Sequence, residues 1–187
     1  MASRHALAGQ PDQYGEAKMA KRQVFYSFHF DNDVRRVQQI RNMGVIEGDT
    51  PVSANEWEQL KKRSGGVEKW IDDNMAYRSC VIVLVGEDTA MRPWVKYEIK
   101  KAWTDGRGLF GIYIHNLKDP QTGTCTQGTN PFSQFVFKAD TSTVSIKCYN
   151  PKSTDAYSDI KDNIDAWAEA AIQSRKSHSR PFTVKNA

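Results

Sequence analysis

Apolar and polar positions along the chain change period several times, and the changes mark out its elements. Gln23 to Phe30, QVFYSFHF, is aromatic and β-branched and predicts a first strand running into a loop. Asp31, Asn32 and Asp33 then offer caps for a helix that carries Val34, Val37 and Ile40 and stops at Gly44. From Val45 to Asn55 the chain is Gly, Asp, Thr, Pro and Ser rich and reads as loop, followed by two short helical pieces, EWEQLKKR and GVEKWIDDNM. CVIVLVG, from Cys80, is apolar at every position, as for a central parallel strand covered on both faces. RPWVKYEIKKAW, Arg92 to Trp103, is a helix with Pro93 in its first turn and Val95, Ile99, Ala102 and Trp103 on one face. Gly106 and Gly108 separate it from a strand, LFGIYI. A long loop, HNLKDPQTGTCTQGTNPF, comes next. TVSIKCY alternates and predicts a last strand at an edge. Tyr157, Ile160, Ile164, Trp167 and Ala171 mark a C-terminal amphipathic helix.

Strand and helix alternating in this way predict an α/β fold with an open, mostly parallel sheet. Such a sheet binds ligands beyond the carboxyl ends of its strands, where strand order reverses. That rule selects three loops: SFHFDND, GEDTAMRPW and HNLKDPQTG. Residues 1–20 are polar and aperiodic and read as a disordered leader or an expression-derived extension, with Met19 as a natural start. Residues 21–174 make one domain, and 175–187 read as a loose tail.

Composition narrows the field. With 39% hydrophobic residues, 26% charged and five tryptophans, the chain has the material for a soluble globular core. A net charge of +4 is mild and dispersed, which favours ordinary solubility over nucleic-acid binding. Cys80, Cys125 and Cys148 are odd in number and lack CxxC spacing, so neither a disulfide framework nor a zinc site is expected. No apolar run reaches the ~18–20 residues of a membrane span, and no signal core opens the chain; a reducing cytoplasm is the expected location.

Some chemistry drops out. GxGxxG, Walker and GxSxG patterns are absent, and His5, His29, His115 and His178 lack metal-ligand spacing. In YSFHFDND, Ser27 and His29 alternate with Phe28 and Phe30, which by itself is also the pattern of core aromatics beside a helix cap. Trp94 stands just ahead of the core face that begins at Val95, where a half-exposed indole can stack on a ligand. Glu98 lies one turn further on. Taken alone it reads as a solvated charge partnered by Lys101.

The order of several motifs reverses that reading of Glu98. KRQVFYSFHFDND, SANEWEQLKK, CVIVLVG, RPWVKYEIKKA, GIYIHNLKD and GTNPF, spread from about Lys21 to Phe132, resemble the TIR-like ThsB proteins of the bacterial Thoeris anti-phage defence system. The resemblance implies a flavodoxin-like, TIR-type open parallel sheet with helices on both faces. It also implies an enzyme that takes NAD as substrate, with no cofactor or metal. Such an enzyme breaks the nicotinamide–ribose bond and makes a cyclic or otherwise modified ADP-ribose that activates a partner effector. A phage-derived activator and a homo-oligomeric active form belong to the same expectation. In TIR enzymes the catalytic carboxylate sits in a W-x-x-x-E pattern, matched here by Trp94 and Glu98. Ser27, Phe28, His29 and Asp31 take the place of residues that border the nucleotide. Trp57 is placed in the segment that covers the site, although it equally fits a helix packing residue. The loop from His115 to Phe132 is a candidate lid or assembly surface. The alternatives are a non-catalytic TIR-like adaptor and another N-glycosidic enzyme of the nucleoside deoxyribosyltransferase kind. A receiver-like domain is disfavoured because CVIVLVG ends in Gly86 rather than in an aspartate.

Overall fold

The computed structural model describes residues 21–187; the expected leader, 1–20, lies outside them. β1 (Val24–Ser27), β2 (Cys80–Val85), β3 (Gly108–Tyr113) and β6 (Cys148–Tyr149) form a parallel sheet in the order β1-β2-β3-β6. All six residues of β2 are fully buried, because helices cover both faces of this central strand. The two-residue period sends Val24, Tyr26, Ile82 and Leu84 to one face. There they meet Val37 and Ile40 of α1 (Phe30–Asn42) and Ile160, Ile164 and Ala168 of α5 (Ala156–Lys176). Phe25, Val81, Val83 and Val85 face the other way, onto α3 (Gly66–Met75) and α4 (Pro93–Thr104). Each large apolar side chain buried in these two layers contributes about 1.5–3 kcal/mol relative to exposure. In α4 the buried face is Val95, Ile99, Ala102 and Trp103, as its spacing predicts.

α2 (Ala54–Lys62) opens on a reciprocal cap. The Ser53 hydroxyl accepts from Glu56 N–H at 3.3 Å, and the Glu56 carboxylate accepts from Ser53 N–H at 2.8 Å. α1 begins differently from expectation. The first strand stops at Ser27 and the helix starts at Phe30, with His29 as its uncapped N-terminal residue. Asp33 does not cap it either. Its side chain is buried beneath Gly86, pairs with Arg36 at 3.5 Å and is held up at about 6 by burial.

The second half departs further from the sequence reading. A second, antiparallel sheet, β5-β4-β7, is formed by β4 (Phe135–Ala139), β5 (Ser142–Val144) and β7 (Phe182–Asn186). TVSIKCY is therefore not one strand: its start pairs in the small sheet and its end, Cys148–Tyr149, joins the main sheet beside β3. The expected loose tail at 175–187 is corrected too. α5 runs to Lys176, and β7 pairs along β4 from Phe135↔Asn186 to Ala139↔Phe182. Phe182 packs edge-on against Trp103, with the Arg175 guanidinium 3.8 Å above its ring. The Trp103 indole N–H donates to the carbonyls of Lys138 and Thr183, at 3.0 and 2.9 Å, so the small sheet holds the far end of α4.

Candidate active site

The connection out of β1 leaves by α1 on one face of the sheet. The connection out of β2 leaves by α4 on the other. Between the carboxyl ends of these neighbours the chain opens a crevice, the position where open α/β sheets bind ligands. Glu98, in the second turn of α4, reaches into it and is 6% exposed. Ser27, the last residue of β1, donates its hydroxyl to Glu98 Oε2 at 2.5 Å. Burial raises the Glu98 carboxyl to about 8; the charge of Asp49 adds to the rise and the Ser27 hydroxyl opposes it. Burial therefore favours the protonated form of Glu98 at neutral pH. The solvated-charge reading of this residue does not survive: Lys101 turns instead to Asp72 and Asp105, at 3.3 and 3.2 Å.

Glu98 stands at the junction of two clefts that share a partition of Phe28, Phe30 and Trp57. Phe30 and Trp57 stack with centroids 6.0 Å apart, and Phe28 flanks Phe30 at 6.2 Å. The inner cleft extends to Trp70, Arg41 and Asp49. Asp49 is buried; its Oδ1 accepts from the Tyr26 N–H at 2.9 Å and its Oδ2 from Arg41 at 3.1 Å. The outer cleft is bounded by His29, Asp31, Lys61, Arg92 and Trp94. His29 is 7% exposed with Nδ1 unpartnered. Its ring is pushed toward the neutral form, first by burial and then by the Arg92 cation.

The structure thus brings Phe28, His29, Asp31, Trp57, Trp94 and Glu98 to one crevice. Ser27 differs from the rest. It is 0% exposed and lines neither cleft, so its contact is with Glu98. The loop from His115 to Phe132 also lines neither cleft. It is tied to α1 by Arg35–Asp119 at 2.7 Å and by Arg36 to the carbonyls of Leu117 and Gly123. Gly128 lies directly on the Gly86 carbonyl. That anchoring makes the loop a fixed wall behind the β2 turn rather than a cover over Glu98. Asp49, Arg41, Lys61 and Arg92 went unread in the sequence. Only Arg92 carried a signal, as the residue before Pro93 in a loop at a strand's carboxyl end.

A sequence profile described as the TIR-like domain of the Thoeris protein ThsB matches residues 25–119. A protein from Bacillus cereus (strain MSX-D12), named "Putative cyclic ADP-D-ribose synthase ThsB1", is 36% identical over 120 residues. That alignment covers 61% of this chain and 62% of the relative, so the chain spans about three fifths of that relative's length. The profile match runs from β1 past the end of β3 and takes in the partition, Trp94 and Glu98. By that match over half of its length, the chain belongs to the TIR-like domain family of the Thoeris protein ThsB.

Proposed function

We propose that this chain cleaves the bond between nicotinamide and ribose in NAD and releases a cyclic or otherwise modified ADP-ribose, a signal read by a partner effector. The observation that carries the reading is Glu98, one buried carboxyl held by Ser27 at the junction of two clefts. The name of the Bacillus cereus relative supports it from outside.

One carboxylate suffices for this chemistry. The C1′–N bond breaks heterolytically, and nicotinamide leaves as a neutral base because its ring nitrogen was already cationic. Ribose is left with oxocarbenium character, as in glycoside cleavage. Negative charge beside that centre is worth about 3–4 kcal/mol, or 10²–10³ in rate. Glu98 supplies it once ionised. The cationic ring of the incoming substrate lowers the carboxyl from about 8 by direct attraction. Binding and ionisation therefore reinforce each other. Water attacking C1′ gives ADP-ribose and a proton. An adenine nitrogen or a ribose hydroxyl attacking instead closes a ring, again with loss of one proton.

The test is a mass-resolved assay of NAD incubated with wild type and Glu98→Gln, with and without lysate of phage-infected cells. We expect nicotinamide release by wild type, a product at the mass of ADP-ribose or its cyclic anhydride, and a rate at least 100-fold lower in the variant. A variant as fast as wild type, or a wild type inert in every condition, removes the reading.

A further inference from the structure

The two clefts around Glu98 differ in charge, and the difference gives a bound substrate a direction. In the inner cleft the cation is Arg41, and it is already spent on Asp49: its guanidinium donates to both the side chain and the main-chain carbonyl of that residue. Val52, Trp57 and Trp70 line the inner cleft with apolar or aromatic groups, and Gln38 is its neutral polar wall. The outer cleft has two cations. Among the described residues Arg92 has a buried Nε without a partner and pairs only loosely with Asp88, 3.7 Å away. Among the described residues Lys61 pairs with Glu58, an exposed neighbour on the same helix, in the kind of pair worth about 0–1 kcal/mol. His29 lines the same cleft, and among the described residues its buried Nδ1 has no hydrogen-bond partner. The outer cleft has its own carboxylate, Asp31, but that side chain is largely in solvent and 3.7 Å from His29 Nε2. A planar guanidinium and an ammonium group with spare donors, facing one cleft, are the equipment of a phosphate site.

We propose that the outer cleft seats the diphosphate of the dinucleotide on Arg92, Lys61 and His29. The nicotinamide end then passes the Phe28–Phe30–Trp57 partition into the inner cleft, with its ribose beside Glu98. This rests on the NAD-cleaving reading and adds a polarity to it. Nicotinamide leaves as a neutral aromatic ring into a chamber whose cation is already paired with Asp49, while the charged remainder stays on the basic side. The adenine end is then on the same side of the partition as Trp94, outside the inner chamber. A ring-closing attack on C1′ therefore has to come from that side.

The proposal is tested by inhibition of NAD loss with ADP-ribose and, separately, with nicotinamide, in wild type, Arg92→Ala, Arg92→Lys and Lys61→Ala. Thermal melting confirms that each variant is folded. For Arg92→Ala we expect KM for NAD and Ki for ADP-ribose to rise at least tenfold, while Ki for nicotinamide stays within twofold. Arg92→Lys should recover part of the loss, and Lys61→Ala should act in the same direction more weakly. An unchanged Ki for ADP-ribose, or an equal rise for nicotinamide, overturns the assignment. If the wild type does not consume NAD, the enzymatic reading fails on its own. Calorimetric titration of ADP-ribose into wild type and Arg92→Ala then decides the seat, and equal affinity or no binding to either overturns it.

Discussion

Replacing Glu98 with glutamine should make the protein more stable as it makes it inactive, and the gain should depend on pH. The carboxyl sits at about 8 in the folded chain against an ordinary 4.5. Folding therefore takes up a proton between those two values. The stability that comes with the protonated form is complete below about 4.5, is lost as pH rises through about 8, and is constant above that. At about 1.4 kcal/mol per pH unit, the interval from 4.5 to about 8 amounts to roughly 5 kcal/mol. Glutamine is neutral throughout, has nearly the same shape, and its amide oxygen still accepts from Ser27. Groups that do not sense the Glu98 charge titrate alike in both chains and cancel in the difference; Asp49, which does sense it, is relieved in the variant and adds to its lead. The two proteins should thus unfold alike at pH 4. Above pH 9 the variant should lead by up to roughly 5 kcal/mol, with most of that margin established by pH 8. For a chain of this length 1 kcal/mol corresponds to about 2–4 °C, so the melting temperatures should separate by roughly 10–20 °C. Urea unfolding at pH 4, 7 and 9 measures the difference directly. A gap that stays constant with pH would refute the buried-acid account of Glu98, whatever the enzyme assays say.

The same physics has kinetic and structural consequences. If ionised Glu98 stabilises the transition state, kcat/KM for NAD should climb with pH toward a plateau above about 8, and a flat profile would contradict that. Asp49→Asn removes a negative charge that raises Glu98, so the midpoint of this climb should move to lower pH. The protein should also lose about 3–5 kcal/mol in urea unfolding, because Arg41 is left short of its carboxylate. Gly128→Ala would put a Cβ 2.0 Å from the Gly86 carbonyl oxygen and 2.9 Å from that of Glu87, both main-chain atoms. It should cost about 1–3 kcal/mol by the same measurement, and an unchanged midpoint would show that the loop 115–132 is not held against the β2 turn.

What the sequence made legible follows from how each element is buried. β2 was plain because both of its faces are covered, so every position is apolar. The face of α4 was plain because one stripe of it packs on the sheet. The small sheet was hidden for the opposite reason. β4 does alternate, with Phe135, Phe137 and Ala139 inward, but it follows a Gly- and Thr-rich loop and reads as its continuation. β7, FTVKN, buries only Phe182 and is held by main-chain pairing, which leaves little mark on side-chain pattern. Within the site, Glu98 was assigned through the W-x-x-x-E resemblance; helical spacing alone placed it on the surface. Asp49 had no signal at all, since its segment has the composition of an ordinary turn and its burial depends on Arg41 and Tyr26 from elsewhere in the chain.

The hold that the small sheet has on Trp103 reaches back to the chemistry. A helix is stiff, and Trp103 lies five residues beyond Glu98, about 7.5 Å along the axis. With its indole fixed between two main-chain carbonyls, α4 behaves as a lever whose fulcrum is the Lys138–Thr183 pair. Reacting groups need placement to within about 0.5 Å. A small rotation at the fulcrum is carried along the lever to the carboxylate. β7, no residue of which lines either cleft, thereby bears on where the Glu98 carboxyl comes to rest in the crevice.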